Sequence, residues 1–414
     1  MSTGWETHKV FIVTAILCID CQNAALGIPN TKTENILKKS VAAMTEDDSI
    51  VLPPYLWIPT SNVEVDKSLH RAIDEATEKL KDFSLSSSEA ARLHFRRGSA
   101  YWSICQPHKA DDDINKAIEL DHSFGKAYAA RAYRRLWDGK KADAQADVEK
   151  AIEVSPKDYA GYLVKAKVVS HSVVSCQDGI EKSREAIKLV SKAISLEPKL
   201  CDLYLTRAAY NSGAGQLDAG IQDTSKAIQL RPDLARAYQQ RALIWKSKGD
   251  AKKEASDYLT AGELLKGTYG AYNVAVAAKM DLQRGDYFGA LKRAKTSLSI
   301  DPKNLDALKV ASQSLQLSGE HKQAISMYDR ALALNPDDAE LLLGKAKSLR
   351  LSGRKDHSDK ILQSLLERCK NELAKDNTNA GAYYVRALVY EQQGKHAEAE
   401  ADRENFKRHF RLQW

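Results

Sequence analysis

Small and apolar residues recur along this chain at helical spacing, and the pattern repeats every 34 residues. Ala110 and Ala117 stand 34 positions before Ala144 and Ala151. Charged residues fill much of the stretch 91–157 between these small residues, as expected for helices with one buried and one exposed side. The pattern predicts two consecutive hairpins, each consisting of a helix A, a turn and a helix B.

The same unit can be followed through most of the chain. We place the unit starts near residues 91, 125, 159, 201, 235, 271, 305, 339 and 380. Glycine at position 15 predicts a left-handed residue that ends helix A, and it occurs as Gly139, Gly215, Gly249, Gly285, Gly319, Gly353 and Gly394. The third and eighth units are longer, so we expect longer helices there. These are either tolerated extensions or local docking edges.

The unit resembles the tetratricopeptide repeat. That repeat has a large residue at position 4, small residues at 8 and 20, a large residue at 24, alanine at 27 and proline at 32. The first two units place there His94, Gly98, Ala110, Ile114, Ala117 and His122, then Tyr128, Ala132, Ala144, Val148, Ala151 and Pro156. The resemblance implies an all-α, right-handed superhelical solenoid of about nine helix-turn-helix repeats.

Five units carry arginine at position 7 together with aspartate at position 23. The pairs are Arg97 with Asp113, Arg131 with Asp147, Arg207 with Asp223, Arg241 with Asp257, and Arg386 with Asp402. Units without the aspartate also lack the arginine. We therefore predict an ion pair that orients helix A against helix B.

The residues before the array need separate interpretations. Residues 1–27 are a possible export signal, because the apolar run Val10–Ile19 is too short to span a bilayer; the alternative is a retained helix or strand. Residues 28–65 form an extended linker or strap, or place Tyr55 and Trp57 in the protein's own groove. Residues 66–90 are a capping helix equivalent to a lone helix B, and residues 91–414 are the solenoid.

Composition limits the class of protein. A hydrophobic fraction of 43%, with 28% charged residues, is that of a folded protein, and the net charge of +7 is mild for 414 residues. No catalytic motif or Cys/His metal spacing occurs, so we expect no enzyme, no cofactor and no metal. The repeats also leave no room for a catalytic domain. We expect free thiols, which argues slightly against an oxidising compartment.

The resemblance implies that positions 2, 5, 6, 9, 12 and 13 of helix A line a concave groove. Carried onto this sequence, the partner-binding candidates are Arg92, Phe95, Arg96, Trp102, Lys126, Tyr133, Trp137, Lys167, Arg236 and Lys246. This face is basic, with aromatic residues at its N-terminal end. The clamp by which related repeats hold chaperone tails is absent, since Phe95, Ser99, Ala130, Ala160 and Val164 occupy its places.

We therefore predict a non-enzymatic scaffold or adaptor that binds an acidic protein or peptide segment in the groove. The alternative is a nucleic-acid or polyanion binder that uses the same basic face, although nucleic acid is the less expected partner. No integral membrane span is expected. The N-terminal segment favours an exported or envelope-associated protein, with the cytoplasm as the alternative.

Overall fold

The computed structural model describes residues 63–171, 176–265 and 267–410. The predicted export signal, the strap up to residue 62 and the last four residues lie outside this range. Every regular element within it is an α-helix, nineteen in all. The first, α1, spans Val63–Lys79, and the other eighteen form nine hairpins. This confirms the all-α class and the expected number of repeats.

The chain divides into two compact units, residues 1–265 and 266–414. In the first unit, five hairpins follow α1: α2 (Ser87–Ser103) with α3 (Pro107–Leu120), α4 (Gly125–Trp137) with α5 (Lys141–Val154), α6 (Tyr159–Ser170) with α7 (Cys176–Leu196), α8 (Cys201–Gly213) with α9 (Leu217–Leu230), and α10 (Ala235–Lys248) with α11 (Ala251–Leu265). In the second unit there are four: α12 (Gly267–Gln283) with α13 (Tyr287–Ile300), α14 (Leu305–Leu317) with α15 (His321–Leu334), α16 (Ala339–Leu351) with α17 (Lys355–Lys375), and α18 (Ala380–Gln392) with α19 (His396–Phe410).

The turn glycines adopt the left-handed conformation that the sequence predicted. All seven have φ between 74° and 82°. In the first hairpin Cys105 occupies position 15, and it too has a positive φ, of 59°. A residue with a Cβ is strained in this conformation. The turn geometry is therefore set by the repeat, even where glycine is missing.

Helices A and B approach closely where the repeat has small residues. A Cβ added at Gly98 would lie 3.0 Å from the Asp113 Cβ and 3.1 Å from the Ala110 carbonyl oxygen. Ala110, Ala117 and their equivalents Ala144 and Ala151 are buried. The core of each hairpin is thus made largely of alanine at the helix crossing, with larger apolar residues at its margins.

All five predicted arginine–aspartate pairs form, with the same geometry. In the pair Arg131–Asp147, Nε and Nη2 donate to the two carboxylate oxygens at 2.9 and 2.8 Å. The Nη1 of the same arginine also donates to Asn115 on the preceding helix B, at 3.2 Å. Arg207 and Arg241 make the equivalent bond to a serine of the preceding hairpin. These arginines therefore join three helices.

The sixth hairpin replaces this pair by one of opposite polarity. Arg293 occupies position 23 on helix B and donates to Asp281, which lies on helix A. Asp281 is buried, and Arg284 also donates to it. The link between helices A and B is thus retained with the charges exchanged.

The helix α1 packs on α2, but not in the register expected from the 34-residue spacing. Arg97 donates to Thr77, which lies twenty residues earlier, whereas Arg131, Arg207 and Arg241 reach sixteen residues back. The helix also ends at Lys79, and Phe83 beyond it is fully exposed. The 34-residue spacing pairs Phe83 with the core residue Ala117, and the exposure of Phe83 shows that this pairing is wrong. The longer connection after Lys79 moves α1 by about one turn.

The two longer units contain longer helices, as expected. The helices α7 and α17 each have 21 residues, while most other helices B have 14 or 15. Cys201 and Cys369 are buried free thiols, as expected, and Cys105 is exposed. The side chain of Cys176 lies outside the described residues.

Candidate functional site

The candidate site is the helix-A face of the first unit. We define this face as positions 2, 5, 6, 9, 12 and 13 of α2, α4, α6, α8 and α10. Neighbouring helices contact each other along part of it, as α4 does with α6. All ten predicted partner-binding residues lie on these helices, but their surroundings differ.

Two of the predicted aromatic residues belong to the core. Phe95 is buried and packs edge-on against Phe124, with the ring centroids 5.0 Å apart. Tyr133 is also buried, within the same cluster of apolar side chains. Their burial contradicts the expectation that both rings are open to a partner. Helical spacing could not predict this burial, because an exposed aromatic residue and a core aromatic residue satisfy the same spacing.

Trp137 is the aromatic residue that this face exposes. It lies at the last position of α4, and 58% of its surface is accessible. Its indole meets the Tyr133 ring edge-on at 6.3 Å. On the neighbouring α6, the Lys167 Nζ lies 4.9 Å from the centre of the Tyr133 ring. The three residues therefore form one cluster, with a core tyrosine beneath an exposed indole and a cation beside them.

Trp102 takes part in a similar contact one hairpin earlier. The guanidinium of Arg134, on α4, lies over the indole at 5.2 Å from its centre. Arg134 also approaches Asp111 at 3.4 Å and donates to Asp138. Burial raises the pKa of the Asp111 carboxyl above its usual value, although Arg134 opposes that change. Arg134 occupies position 10, outside the positions considered for the groove, so the sequence analysis missed it.

A histidine lies next to Lys167 of this cluster, with its Nδ1 atom 3.2 Å from the Lys167 carbonyl oxygen. His171 follows α6, and its backbone carbonyl accepts a hydrogen bond of 3.0 Å from Lys141. Burial lowers the pKa of the imidazole, and the positive charges of Lys167 and Lys141 lower it further, against the effect of its bond to a backbone carbonyl. The neutral form of this ring is favoured.

Several basic residues of the face have acidic neighbours that the sequence analysis did not count. Arg96 approaches Glu75 of α1 at 3.6 Å, Lys126 approaches Asp158 at 3.9 Å, and Arg236 pairs with Asp202. The net positive charge of this face is therefore smaller than the count of lysines and arginines suggested. Asp158 is the N-cap of α6, so a capping signal could have identified it.

Arg96 is nevertheless incompletely satisfied. Only 14% of its side chain is exposed. Its Nε and Nη2 atoms are buried and donate no hydrogen bond to any acceptor in the described part of the chain. A buried donor without an acceptor costs about 1–3 kcal/mol. The exposed 14% of this side chain is the part that an incoming carboxylate could contact, and hydrogen bonds between guanidinium and carboxylate groups are charge-assisted.

The remaining candidates do not join this cluster in any described contact. Arg92 is exposed on α2 near Glu89 and Asp121. Lys246 is exposed on α10, near the buried Glu254. The structure thus forms two groups on this face, Tyr133 with Trp137 and Lys167, and Trp102 with Arg134, and leaves the predicted residues of α10 elsewhere on the face.

Two kinds of site are missing from the described residues. Across 63–171, 176–265 and 267–410, no group of three histidine, cysteine, aspartate or glutamate residues could hold a metal ion. No helix in these ranges combines the length and apolar composition needed to cross a membrane bilayer.

Comparison with known proteins identifies the repeat. Residues 315–371 match one description of the tetratricopeptide repeat, and residues 91–123 and 380–402 match a second. RNA polymerase II-associated protein 3 of Mus musculus is 37% identical over 67 residues, which cover 16% of this chain and 10% of that protein. DnaJ homolog subfamily C member 3 of Homo sapiens is 22% identical over 329 residues, which cover 76% of this chain and 59% of that protein. This chain therefore spans less than two thirds of either relative.

Among solved structures, the type IV pilus biogenesis factor PilW is similar, with 13% identity and a TM-score of 0.43. The similarity covers 54% of this chain and 98% of PilW. Arrays of this repeat offer extended surfaces that bind other proteins, and they are generally not catalytic. The matched segments and the nine hairpins with their conserved turn geometry lead to one conclusion: the chain is a tetratricopeptide-repeat protein.

Proposed function

We propose that this protein is a non-enzymatic scaffold that binds an acidic, aromatic-containing segment of a partner protein on the helix-A face of its first three hairpins. The observation that carries the proposal is the exposed indole of Trp137, held against the buried Tyr133 and beside Lys167. Tryptophan, tyrosine and arginine supply most of the binding energy at protein interfaces. Burial of an exposed indole by a partner would be favourable.

The charges near this indole favour an acidic segment. Arg96 retains two buried nitrogens without acceptors, and Arg134 lies over Trp102. A partner carboxylate near these groups would gain charge-assisted hydrogen bonds, while an aromatic residue of the partner would contact Trp137. Because Asp158 and Asp202 already balance Lys126 and Arg236, we place the binding segment near Trp102, Arg134 and Trp137, on α2, α4 and α6.

Selection of displayed peptides on the immobilised full chain tests this proposal. Short random peptides selected on the wild type should be enriched in aspartate or glutamate together with an aromatic residue. Their affinities are then measured by fluorescence anisotropy. Trp137→Ala should weaken binding by about 30-fold, the size of a binding hot spot. Phe288→Ala is the matched control, since Phe288 is an exposed aromatic residue on a helix B of the second unit.

The result also separates the scaffold from the polyanion-binding alternative. A peptide ligand should show moderate salt dependence and lose affinity in Trp137→Ala. A polyanion such as heparin should instead bind with a steep salt dependence and be indifferent to Trp137. Binding of heparin without any peptide selection would contradict the proposal. Selected peptides that lack acidic residues, or that bind Trp137→Ala equally well, would also contradict it.

A further inference from the structure

One segment of this chain has the composition that the helix-A face favours. Residues 46–59 begin with Glu46, Asp47 and Asp48 and continue with Tyr55 and Trp57. The segment also contains the prolines Pro53, Pro54 and Pro59. Proline restricts the backbone to extended conformations, so less conformational entropy is lost when such a segment binds.

The helix that follows this segment in the chain begins near one end of the site. Thr77 of α1 accepts a hydrogen bond of 3.1 Å from Arg97, while Leu69 and Ile73 pack with Ala100 and the neighbouring Tyr101 and Ile104. The helix α1 therefore runs antiparallel to α2. Its first residue, Val63, lies toward the end of α2 that carries Trp102.

The number of intervening residues allows the segment to reach the site. Trp57 precedes Val63 by six residues, which extend over at most about 20 Å. Asp47 and Asp48 precede it by about sixteen residues, which extend over at most about 50 Å. Along α2, the distance from Arg96 to Trp102 is only about 9 Å. These lengths exceed the distance of about 9 Å between Arg96 and Trp102, so the segment is long enough to extend along this part of α2 from the end that carries Trp102.

We propose that residues 46–59 bind the helix-A face of the same chain as an internal ligand, with Tyr55 and Trp57 against Trp137 and the acidic residues toward Arg96 and Arg134. This inference rests on the proposed function, because it names the segment that the same face binds. Any external partner then competes with the protein's own segment for the face.

The covalent connection makes this competition strong. A short flexible tether gives an effective concentration in the millimolar range. An internal ligand whose free peptide binds with a Kd of about 10 μM would then reduce the apparent affinity of an external ligand by about 100-fold. A partner would then need either a segment that binds the face more tightly than residues 46–59 do, or release of residues 46–59 from the face.

The test uses the full chain and a synthetic peptide of residues 44–61 that carries a fluorescent label. The internal segment is weakened in one chain by Tyr55→Ala together with Trp57→Ala. We expect the peptide to bind this chain at least about 10-fold more tightly than it binds the wild type, because the internal competitor is lost. Adding Trp137→Ala to the same chain should abolish binding, whereas adding Phe288→Ala should not.

A direct measurement supports the binding assay. A photoreactive phenylalanine analogue at position 55 should cross-link within the chain to α2 or α4, detected by mass spectrometry after proteolysis. Cross-links only to helices B, or only between two copies of the chain, would overturn the inference. So would equal peptide affinities of the wild type and the Tyr55→Ala, Trp57→Ala chain.

The two proposals fail in different ways. If the peptide of residues 44–61 binds neither chain while selected acidic peptides bind the wild type through Trp137, the internal ligand is wrong and the proposed function stands. If neither the peptide of residues 44–61 nor any selected peptide binds, both proposals are wrong.

Discussion

Arg241 and Asp257 form a two-pronged ion pair between the helices of the fifth hairpin, with Nε and Nη2 each 2.8 Å from a carboxylate oxygen. The Nη1 of Arg241 also donates to Ser225 of the preceding hairpin, at 3.0 Å. Asp257 is buried, and Arg241 is mostly so. The pair therefore connects two consecutive hairpins as well as the two helices of one.

The Arg241→Ala variant should be destabilised by about 2 kcal/mol. This lies between the effect of an exposed ion pair and the loss of one partner of a buried pair. The physical reason is that Asp257 would remain buried without its donors. Urea unfolding followed by circular dichroism measures the free energy, and hydrogen exchange in α10 and α11 locates the effect.

The double variant Arg241→Leu, Asp257→Leu is the control for this pair. Removing both charges leaves no unpaired carboxylate, so most of the lost stability should return. A single variant that unfolds at the same urea concentration as the wild type would show that the pair contributes nothing to stability.

Glycine should be the most favourable replacement for Cys105, whose backbone conformation is strained. Its φ of 59° is the conformation that the other turns give to glycine. The Cys105→Gly variant should be more stable by about 0.5–1 kcal/mol, the relief of strain being partly offset by the greater entropy of the unfolded chain. Thermal unfolding measures the change. The Cys105→Ala control keeps a Cβ, and a gain of equal size there would assign the effect to the thiol.

The glycine at position 344 is required by close packing. A Cβ at Gly344 would overlap the ring of the buried Tyr328. The Gly344→Ala variant should lose about 2 kcal/mol of stability from overpacking, despite the better helix propensity of alanine. The exposed Gly381 is the comparison, since its added Cβ would meet only the Asn379 Oδ1 at 3.3 Å. Equal urea midpoints for Gly344→Ala and Gly381→Ala would contradict this.

The Asp113 carboxyl should make the first hairpin sensitive to acid. Burial alone would raise its pKa, but hydrogen bonds from Arg97 and His94 outweigh burial and hold the pKa below the ordinary value of 3.8. A carboxylate with a lowered native pKa contributes stability that is complete above the pKa of the unfolded chain. That contribution is lost as the pH falls through the lower native value.

Hydrogen exchange of α2 and α3 below pH of about 4 checks this expectation. The wild type should lose protection in these helices as the pH decreases, and Asp113→Asn should lose less over the same range because it has no proton to take up. An unchanged slope in Asp113→Asn would show that other groups cause the acid sensitivity. Asp257→Asn is the matched control, because it removes the corresponding carboxylate from a distant hairpin.

Much of the architecture could be predicted from the sequence, because it depends on residues that interact within one hairpin. Gly249 and Gly319 mark the ends of helices because a left-handed residue is needed there. The pairing of Arg207 with Asp223 could be predicted from their joint occurrence, since a buried charge without its partner is costly. Such features depend on residues within one hairpin, and their spacing is fixed by the repeat.

The site was less predictable, because exposure depends on neighbouring hairpins. Phe95 and Trp137 are both aromatic residues at positions expected to line the groove, yet one is buried beside Phe124 and the other is exposed. Arg134, at position 10 of the second hairpin, contacts Trp102 of the first hairpin, and position 10 was not among the positions expected to line the groove. The spacing of residues within one unit does not predict which aromatic rings a neighbouring helix covers.

The sequence by itself determined the all-α class, the number of hairpins, the turn conformations and the ion pairs. These depend on periodicity and on contacts that recur at a fixed separation. Only the tertiary structure decided the register of α1, the burial of Phe95 and Tyr133, and the pairing of Arg236 with Asp202. Those features arise where helices of different repeats pack on each other. Burial and ion pairing there depend on the side-chain volumes and charges of both helices, which the pattern of a single repeat does not contain.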